Sequence, residues 1–100
     1  LLSLDQNKID YICVSPNMNQ HHVINHLNGK EEIGKRNVLE ESARIARGEI
    51  ISLNDIEYKQ ISSLVIPGGF GSAKNFSDWA FNGPKGKMNN QKWQYRYYLL

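Results

Sequence analysis

The chain has 100 residues, the length of one small domain or of part of one. Twelve Lys and Arg side chains against ten Asp and Glu side chains give a formal net charge of +2, which is too balanced to indicate a nucleic-acid or membrane partner. Cys13 is the single cysteine, which excludes an internal disulfide, and no apolar run approaches the roughly 20 residues that a membrane span needs.

The N-terminal part of the sequence predicts a helix end, a strand and a turn. Residues 1–7 are typical of the end of an amphipathic helix, with Asn7 at its C-terminal cap. Residues 9–15 are rich in branched apolar side chains and predict a strand that a proline ends. A short extended piece is predicted at residues 22–25, before a turn at Asn28-Gly29.

The clearest helix is predicted over residues 38–47. Asn37 can cap its N-terminus, and Glu40 follows at the spacing of a capping box. Gly48 stands at the usual C-terminal stop of a helix. A short strand is predicted to follow at residues 50–53.

A glycine turn lies between a predicted strand at residues 63–66 and a predicted helix at residues 72–81. The turn is Pro67-Gly68-Gly69. A strand, a glycine turn and a helix in this order direct backbone N–H groups toward a ligand in many α/β proteins. A backbone oxyanion donor and an ordinary strand-to-helix turn are both open readings of these residues. Nucleotide binding is disfavoured, because neither a Gly-Lys-Ser/Thr ending nor a third glycine is present.

The histidines His21, His22 and His26 suggest a metal site, because residues four apart share a helical face. Val23 and Ile24 prefer a strand instead, in which positions 22 and 26 lie about 13 Å apart. No carboxylate lies among them, so we predict no metal site. We interpret the histidines as hydrogen-bonding or pocket-wall residues.

Two further features have structural explanations. Cys13 lies in the predicted strand, so we interpret it as a small core residue, since an activated thiolate needs an electropositive, accessible turn. Residues 92–98 mix aromatic and basic side chains, as a platform for single-stranded nucleic acid does. An unpacked terminus or an interface remnant is the favoured alternative for so short a tail.

Three stretches are specific enough to compare with known families: residues 22–27, residues 36–50 and residues 65–75. With these residues the chain resembles the ThiJ/PfpI superfamily, within the class I glutamine amidotransferase-like folds. The resemblance is strongest to the ElbB group, named as isoprenoid biosynthesis glyoxalase or enhancing lycopene biosynthesis protein. It extends over residues 1 to about 90.

The alternating strands and helices favour an α/β fold, and the resemblance implies a flavodoxin-like parallel sheet between helices. Similar members are assigned a cofactor-independent conversion of glyoxal-type dicarbonyls to hydroxy acids. The resemblance implies that Gly68 and Gly69 belong to the loop that donates to the oxyanion. It also makes four residues candidate pocket neighbours: His22, Asn25, His26 and Asn75.

The family's nucleophilic cysteine and its acidic partner have no counterpart in the chain, so we predict no catalytic residue in it. The cysteine would follow the stretch where the chain ends, and the first strand would precede Leu1. We therefore expect a fragment, inactive by itself, with a partial ThiJ/PfpI-like α/β domain at residues 1–91 and a divergent tail at residues 92–100. This partial sheet would lack the first strand and the C-terminal half of the fold.

The expected parent protein takes a small dicarbonyl substrate and no cofactor, with no nucleic-acid or membrane partner; a homo-oligomer stays open. We expect it in the cytoplasm, or in the mitochondrion if the source is eukaryotic. A non-catalytic interaction or regulatory remnant is the alternative function, and nucleic-acid binding through the tail ranks last. Because the strand order 2-1-3 would leave strand edges unpaired, we expect a marginally stable or partly ordered chain.

Overall fold

The computed structural model describes residues 1–87, which belong to two compact units. The first unit spans Leu1–Ile61, and the second begins at Ser62. The tail at residues 92–100 lies outside the described residues, so its separation from a domain at residues 1–91 stays a prediction.

The first unit contains short helices, short strands and two 3-10 turns. The helices are α1 (Leu2–Gln6) and α2 (Val38–Ala46); the strands are β1 (Cys13–Ser15), β2 (Ile24–Asn25), β3 (Lys30–Glu31) and β4 (Ile50–Ser52); the 3-10 turns are Leu53–Asp55 and Tyr58–Gln60. The described part of the second unit contains helices α3 (Phe70–Asn75) and α4 (Trp79–Asn82) and a 3-10 turn at Gly83–Lys85.

Strands β1 and β4 pair in parallel and are connected through helix α2. Cys13 lies opposite Ile50, and Ser15 lies opposite Ser52. A parallel pair needs a crossover of a dozen or more residues, and a helix is the usual one. The predicted α/β class with parallel pairing is therefore confirmed. The strand predicted over residues 9–15 is shorter than expected, because only its last three residues have a paired neighbour in the structure.

Helix α2 begins and ends as its sequence predicts. The Asn37 side-chain oxygen accepts hydrogen bonds from the N–H groups of Leu39, at 2.8 Å, and Glu40, at 3.2 Å. At the other end, Arg47 adopts a left-handed conformation, and the N–H of Gly48 donates to the Ala43 carbonyl at 2.9 Å. These bonds use backbone groups that a helix end otherwise leaves unpaired.

A small core forms around β1 and α2. Its buried apolar side chains are Val23, Val38 and Leu53. Ser15, at the carboxyl end of β1, is only 2% exposed, and its hydroxyl lies 3.2 Å from the hydroxyl of Ser42 on α2. Burying a hydroxyl without a hydrogen-bond partner is unfavourable, so the contact with Ser42 stabilises the buried Ser15 side chain where the helix crosses the strand.

A short antiparallel hairpin precedes helix α2. Ile24 pairs with Glu31 and Asn25 with Lys30, around the turn predicted at Asn28-Gly29. Gly29 has a φ of +70°, which glycine adopts at little cost. The predicted turn is confirmed.

The strand predicted at residues 63–66 is not formed, which corrects the expectation from the sequence. Neither of the two described ladders includes these residues. Leu64, Val65 and Ile66 have strong strand propensity, yet a strand also requires a paired neighbour. Val65 is 76% exposed, so it is not the buried strand residue that its apolar character predicts.

The single helix predicted at residues 72–81 is also wrong in detail. The structure has two helices there, α3 and α4, separated by residues 76–78. The Ser77 hydroxyl donates to the Ala73 carbonyl at 3.2 Å and accepts from the Trp79 N–H at 3.3 Å. Serine side chains that bond nearby backbone groups compete with the helical pattern, which explains the break.

The Asn37 cap gives the first prediction. The substitution Asn37→Ala should destabilise α2 by about 1 kcal/mol, because two N–H groups lose their acceptor. Amide hydrogen exchange of residues 39–46 measures the loss. Asn37→Ser is the matched control, since it keeps a capping oxygen but loses the 2.7 Å bond from the Asn37 side-chain amide to Asn17. Equal loss of protection in both variants would contradict the cap and assign the stability to the Asn17 contact.

Asp78 gives a pH prediction. Its carboxylate accepts hydrogen bonds from the Lys87 N–H and, at 2.8 Å, from the Asn82 side-chain amide. Both bonds favour the charged form, and they hold the pKa of Asp78 below its ordinary value, the Lys87 bond contributing most.

Because the pKa of Asp78 is lowered in the folded chain, the charged carboxylate stabilises the folded loop at pH values above the ordinary pKa of Asp. This stabilisation is lost as the pH falls through the lowered pKa and the carboxylate becomes protonated. We therefore expect main-chain amide exchange at Lys87, whose N–H donates to the carboxylate, to accelerate as the pH falls through the lowered pKa, after correction for the intrinsic rate. Asp78→Ala, which removes both acceptor oxygens, should show fast exchange at Lys87 already at neutral pH, whereas the control Asp55→Ala should behave as the unsubstituted chain. Unchanged protection of Lys87 in Asp78→Ala would refute the role given to the carboxylate.

Candidate functional site

The glycine turn of the second unit leads directly into helix α3. Gly69 precedes the helix with φ +127° and ψ 173°, a conformation that residues with a side chain rarely adopt. Gly68 has no positive φ, so only Gly69 of the two glycines needs the conformational freedom of glycine. The Ser72 hydroxyl donates to the Pro67 carbonyl at 2.7 Å and closes the turn.

The backbone of this turn is open to the surroundings. Gly68 and Gly69 are exposed, and a Cβ built on either residue meets no atom within 4 Å. Among residues 1–87, neither glycine N–H has a hydrogen-bond acceptor, while the Gly69 carbonyl accepts from the Ala73 N–H at 3.1 Å. Two exposed backbone donors at one turn are chemically suited to bind a carbonyl oxygen or an oxyanion.

Asn75 is the candidate residue that the structure connects to this turn. It is buried at 9% exposure, and its side-chain amide donates to the Gly71 carbonyl at 2.9 Å. Asn75 therefore braces the first turn of α3 from within the helix. The assignment of Asn75 to a pocket stays a prediction.

The other candidate pocket residues lie in the first unit, on the hairpin and just before it. Asn25 uses its side chain within the hairpin, donating to the Glu32 carboxylate at 2.8 Å and accepting from the Leu27 N–H at 2.9 Å. His22 is half-buried and its ring lies edge-on to that of His21, with centroids 4.4 Å apart. His26 is exposed in the turn. The assignment of these residues to a pocket stays a prediction.

The histidines do not assemble with other metal-binding side chains. Over residues 1–87, no group of three or more His, Cys, Asp or Glu side chains is placed to share a metal ion. His22 precedes strand β2 and His26 follows it, so the strand contains neither histidine.

Cys13 lies at the start of β1, opposite Ile50, and is half-buried. It stands in a paired strand and not on a turn that leads into a helix. Cys13 is therefore a strand residue, as the sequence predicts, but it is not one of the buried core residues.

Two polar residues of the second unit were not singled out from the sequence. Ser72 closes the glycine turn, and the Asp78 carboxylate accepts from the N–H of Lys87. The signal for Ser72 was present in the sequence, because a serine shortly after a turn commonly bonds the backbone behind it. The Asp78 contact joins residues nine apart, which no local pattern indicates.

No protein-family model matches the chain. It is 40% identical over 92 residues to the human protein "Glutamine amidotransferase-like class 1 domain-containing protein 3, mitochondrial", covering 91% of this chain and 34% of that protein. It is also 40% identical to the rat "ES1 protein homolog, mitochondrial", with coverages of 91% and 35%. The zebrafish "ES1 protein, mitochondrial" is 30% identical, with coverages of 87% and 34%.

A solved structure is similar as well. The isoprenoid biosynthesis protein with amidotransferase-like domain from Ehrlichia chaffeensis superposes with a TM-score of 0.72 at 44% sequence identity. The match covers 75% of this chain and 35% of that protein. The flavodoxin-like α/β fold class is thereby confirmed.

These relatives are about three times as long as the matched region, so the chain spans about one third of their length. Within residues 1–87, no helix is long and apolar enough to cross a membrane. The predicted resemblance to the class I glutamine amidotransferase-like folds is confirmed at the level of the superfamily. The homologues of this chain are glutamine amidotransferase-like class 1 domain proteins.

Proposed function

We propose that this chain is one part of an ElbB-type glyoxalase-like protein. The observation that carries the proposal is the 44% identity to an isoprenoid biosynthesis protein with an amidotransferase-like domain. The open glycine turn before helix α3 of this chain supports it. The ElbB assignment adds a reaction to this match: a glyoxal-type dicarbonyl takes up water and becomes a hydroxy acid.

The reaction needs a nucleophile and a place for negative charge. A thiolate adds to one aldehyde carbon, and the carbonyl oxygen becomes an oxyanion. Backbone N–H groups that already point at that oxygen stabilise it without rearranging, which commonly contributes a few kcal/mol to catalysis. The exposed N–H groups of Gly68 and Gly69 support this role, since neither has an acceptor among residues 1–87.

The second element of the proposal is that the 100-residue chain does not carry out the reaction by itself. Its single cysteine, Cys13, is half-buried in the paired strand β1. A thiolate nucleophile needs accessible surroundings that stabilise its charge, and nothing in the strand supplies them. We therefore assign the nucleophile and its acidic partner to parts of the parent protein that this chain does not contain.

The setting and partners of the parent protein are also proposed. Three relatives carry "mitochondrial" in their names, which supports a mitochondrial location if the source is eukaryotic and a cytoplasmic one otherwise. The proposed substrate is a small dicarbonyl, and no cofactor, nucleic acid or membrane takes part. A homo-oligomer is compatible with the same site.

A non-catalytic interaction role is the second candidate, and one observation favours it. Several large apolar side chains are exposed on the first unit, among them Leu27 and Ile33 on and beside the hairpin, Ile45 on α2 and Ile51 on β4. Exposed large apolar side chains of this kind are available for contact with a partner protein. Saturable capture of one partner from an extract, lost in Leu27→Ser and Ile33→Ser, would favour this reading.

The purified chain should show no turnover of glyoxal above the rate without protein. The assay is formation of glycolate, with Cys13→Ser as the matched variant. We expect both proteins to be equally inactive, because Cys13 is not the nucleophile. Turnover by the unsubstituted chain that Cys13→Ser abolishes would overturn the assignment.

A chimera tests the glycine turn directly. In it, this chain replaces the matching third of the Ehrlichia protein, and both the intact protein and the chimera are assayed with glyoxal. We expect both to be active, and we expect Gly69→Ala in the chimera to lower kcat by about tenfold or more, because alanine disfavours the φ of +127° and displaces the donors. Gly68→Ala is the control, since that position has an ordinary φ and open space.

Three results would contradict the proposal. If the Ehrlichia protein is inactive with glyoxal, the family match does not support the proposed reaction. If the Ehrlichia protein is active but the folded chimera is inactive, this chain does not take the proposed part in the reaction. If the Gly69→Ala and Gly68→Ala chimeras are equally active, the glycine turn has no role in the mechanism.

A further inference from the structure

We propose that Asn28 is a site of spontaneous covalent modification, where the asparagine side chain loses ammonia in a reaction with the backbone of Gly29. The chain contains two Asn-Gly pairs, Asn28-Gly29 and Asn82-Gly83. Glycine is the residue that least obstructs such an attack, because no side chain shields its nitrogen. The structure places the two pairs in different surroundings, and this difference assigns the reaction to Asn28.

The reaction is balanced by water alone. The Gly29 main-chain nitrogen attacks the Asn28 side-chain carbonyl carbon; a C–N bond forms and ammonia leaves, which gives a cyclic succinimide. Water then opens either carbonyl of the ring and yields aspartate or isoaspartate. One water is consumed, one ammonia is released, and no oxidant, reductant or enzyme is required.

The geometry at Asn28 favours the attack. Asn28 and Gly29 are exposed, and a Cβ at Gly29 would meet no atom within 4 Å. The Asn28 side-chain oxygen accepts from the Lys30 N–H at 2.9 Å. This bond folds the side chain toward the backbone that follows it, and it draws electrons from the carbonyl carbon that is attacked.

One hydrogen bond opposes the reaction, but few surrounding contacts stabilise it. The Gly29 N–H donates to the Asn25 carbonyl at 2.8 Å and must be released before it reacts. The hairpin has only two paired positions, and every residue from 26 to 36 is exposed. Segments with few buried contacts and exposed hydrogen bonds open at low free-energy cost, so the nitrogen becomes available repeatedly.

Asn82-Gly83 is held more firmly. The Asn82 side-chain amide donates to the Asp78 carboxylate at 2.8 Å, which keeps the leaving nitrogen beside α4. The Gly83 N–H donates to the Trp79 carbonyl, and the Gly83 carbonyl accepts from the Gly86 N–H at 2.8 Å. A Cβ at Gly83 would meet no atom within 4 Å, as at Gly29, but one at Gly86 would lie 2.9 Å from atoms of Gly83 and Asp78. The two sites therefore differ in the hydrogen bonds of the Asn82 side chain and in the packing of the loop after Gly83, and not in the space beside the reacting glycine.

The modification would change the hairpin. The Asn25 carbonyl accepts both the Gly29 N–H and, at 3.3 Å, the Asn28 N–H. Isoaspartate inserts one additional carbon into the main chain between these two donors, so both cannot keep their positions. Asn25 and His26, which are candidate pocket residues, lie on the same turn and would move with it. This inference does not depend on the proposed glyoxalase function.

Peptide mapping by mass spectrometry tests the proposal on the purified chain. After incubation in neutral buffer, the peptide with Asn28 should show the mass increase of amide-to-acid conversion, and isoaspartyl methyltransferase should label it. We expect Asn28 to convert several-fold faster than Asn82 in the folded chain. In concentrated urea the two rates should become similar, because the sequence is the same dipeptide in both places.

Two variants complete the test. Asn28→Gln should abolish the conversion at this position, because a six-membered ring forms far less readily, while Asn82 stays unchanged. Asp78→Ala, which removes the acceptor of the Asn82 amide, should accelerate conversion at Asn82 and leave Asn28 unchanged. Equal rates at the two sites in native buffer, or a faster rate at Asn82, would overturn the proposal.

Discussion

The parallel pairing of β1 with β4 is the constraint on which the first unit depends. Two parallel strands cannot be joined by a tight turn, so the chain must cross over between them, and α2 is that crossover. The helix therefore has to begin at a defined place. Asn37 fixes its start by capping two N–H groups, and the Val38 N–H donates to the Met18 carbonyl at 2.8 Å, which holds the helix start to the loop after β1.

The same arrangement explains why the core is small. Parallel sheets in α/β proteins are normally covered on both faces. Helix α2 covers the face that carries Ser15, as the contact between the Ser15 and Ser42 hydroxyls shows. Ile51 alternates to the opposite face and is 42% exposed. Apolar side chains on an open face gain little from burial, so the unit depends more on caps and backbone bonds than a larger domain does.

In the second unit, the glycine turn combines a closed shape with an open backbone. The Ser72 hydroxyl donates to the Pro67 carbonyl of the turn, and the Asn75 amide donates to the Gly71 carbonyl in the first turn of α3. The N–H groups of Gly68 and Gly69 keep no acceptor among residues 1–87. Donors that are held in place without being used are what stabilisation of a developing negative charge requires, because no reorganisation is needed at the moment of reaction. This is the physical basis of the proposed role of the turn.

The sequence by itself determined the features that depend on nearest neighbours along the chain. These are the Asn37 cap, the stop of α2 before Gly48 and the turn at Asn28-Gly29, since each follows from the chemistry of a few adjacent residues. The sequence also showed the resemblance to the glutamine amidotransferase-like superfamily. Only the tertiary structure decided that residues 63–66 remain outside a ladder and that Asp78 bonds Lys87. Strand formation and distant hydrogen bonds depend on which partner is present, and local propensity does not contain that information.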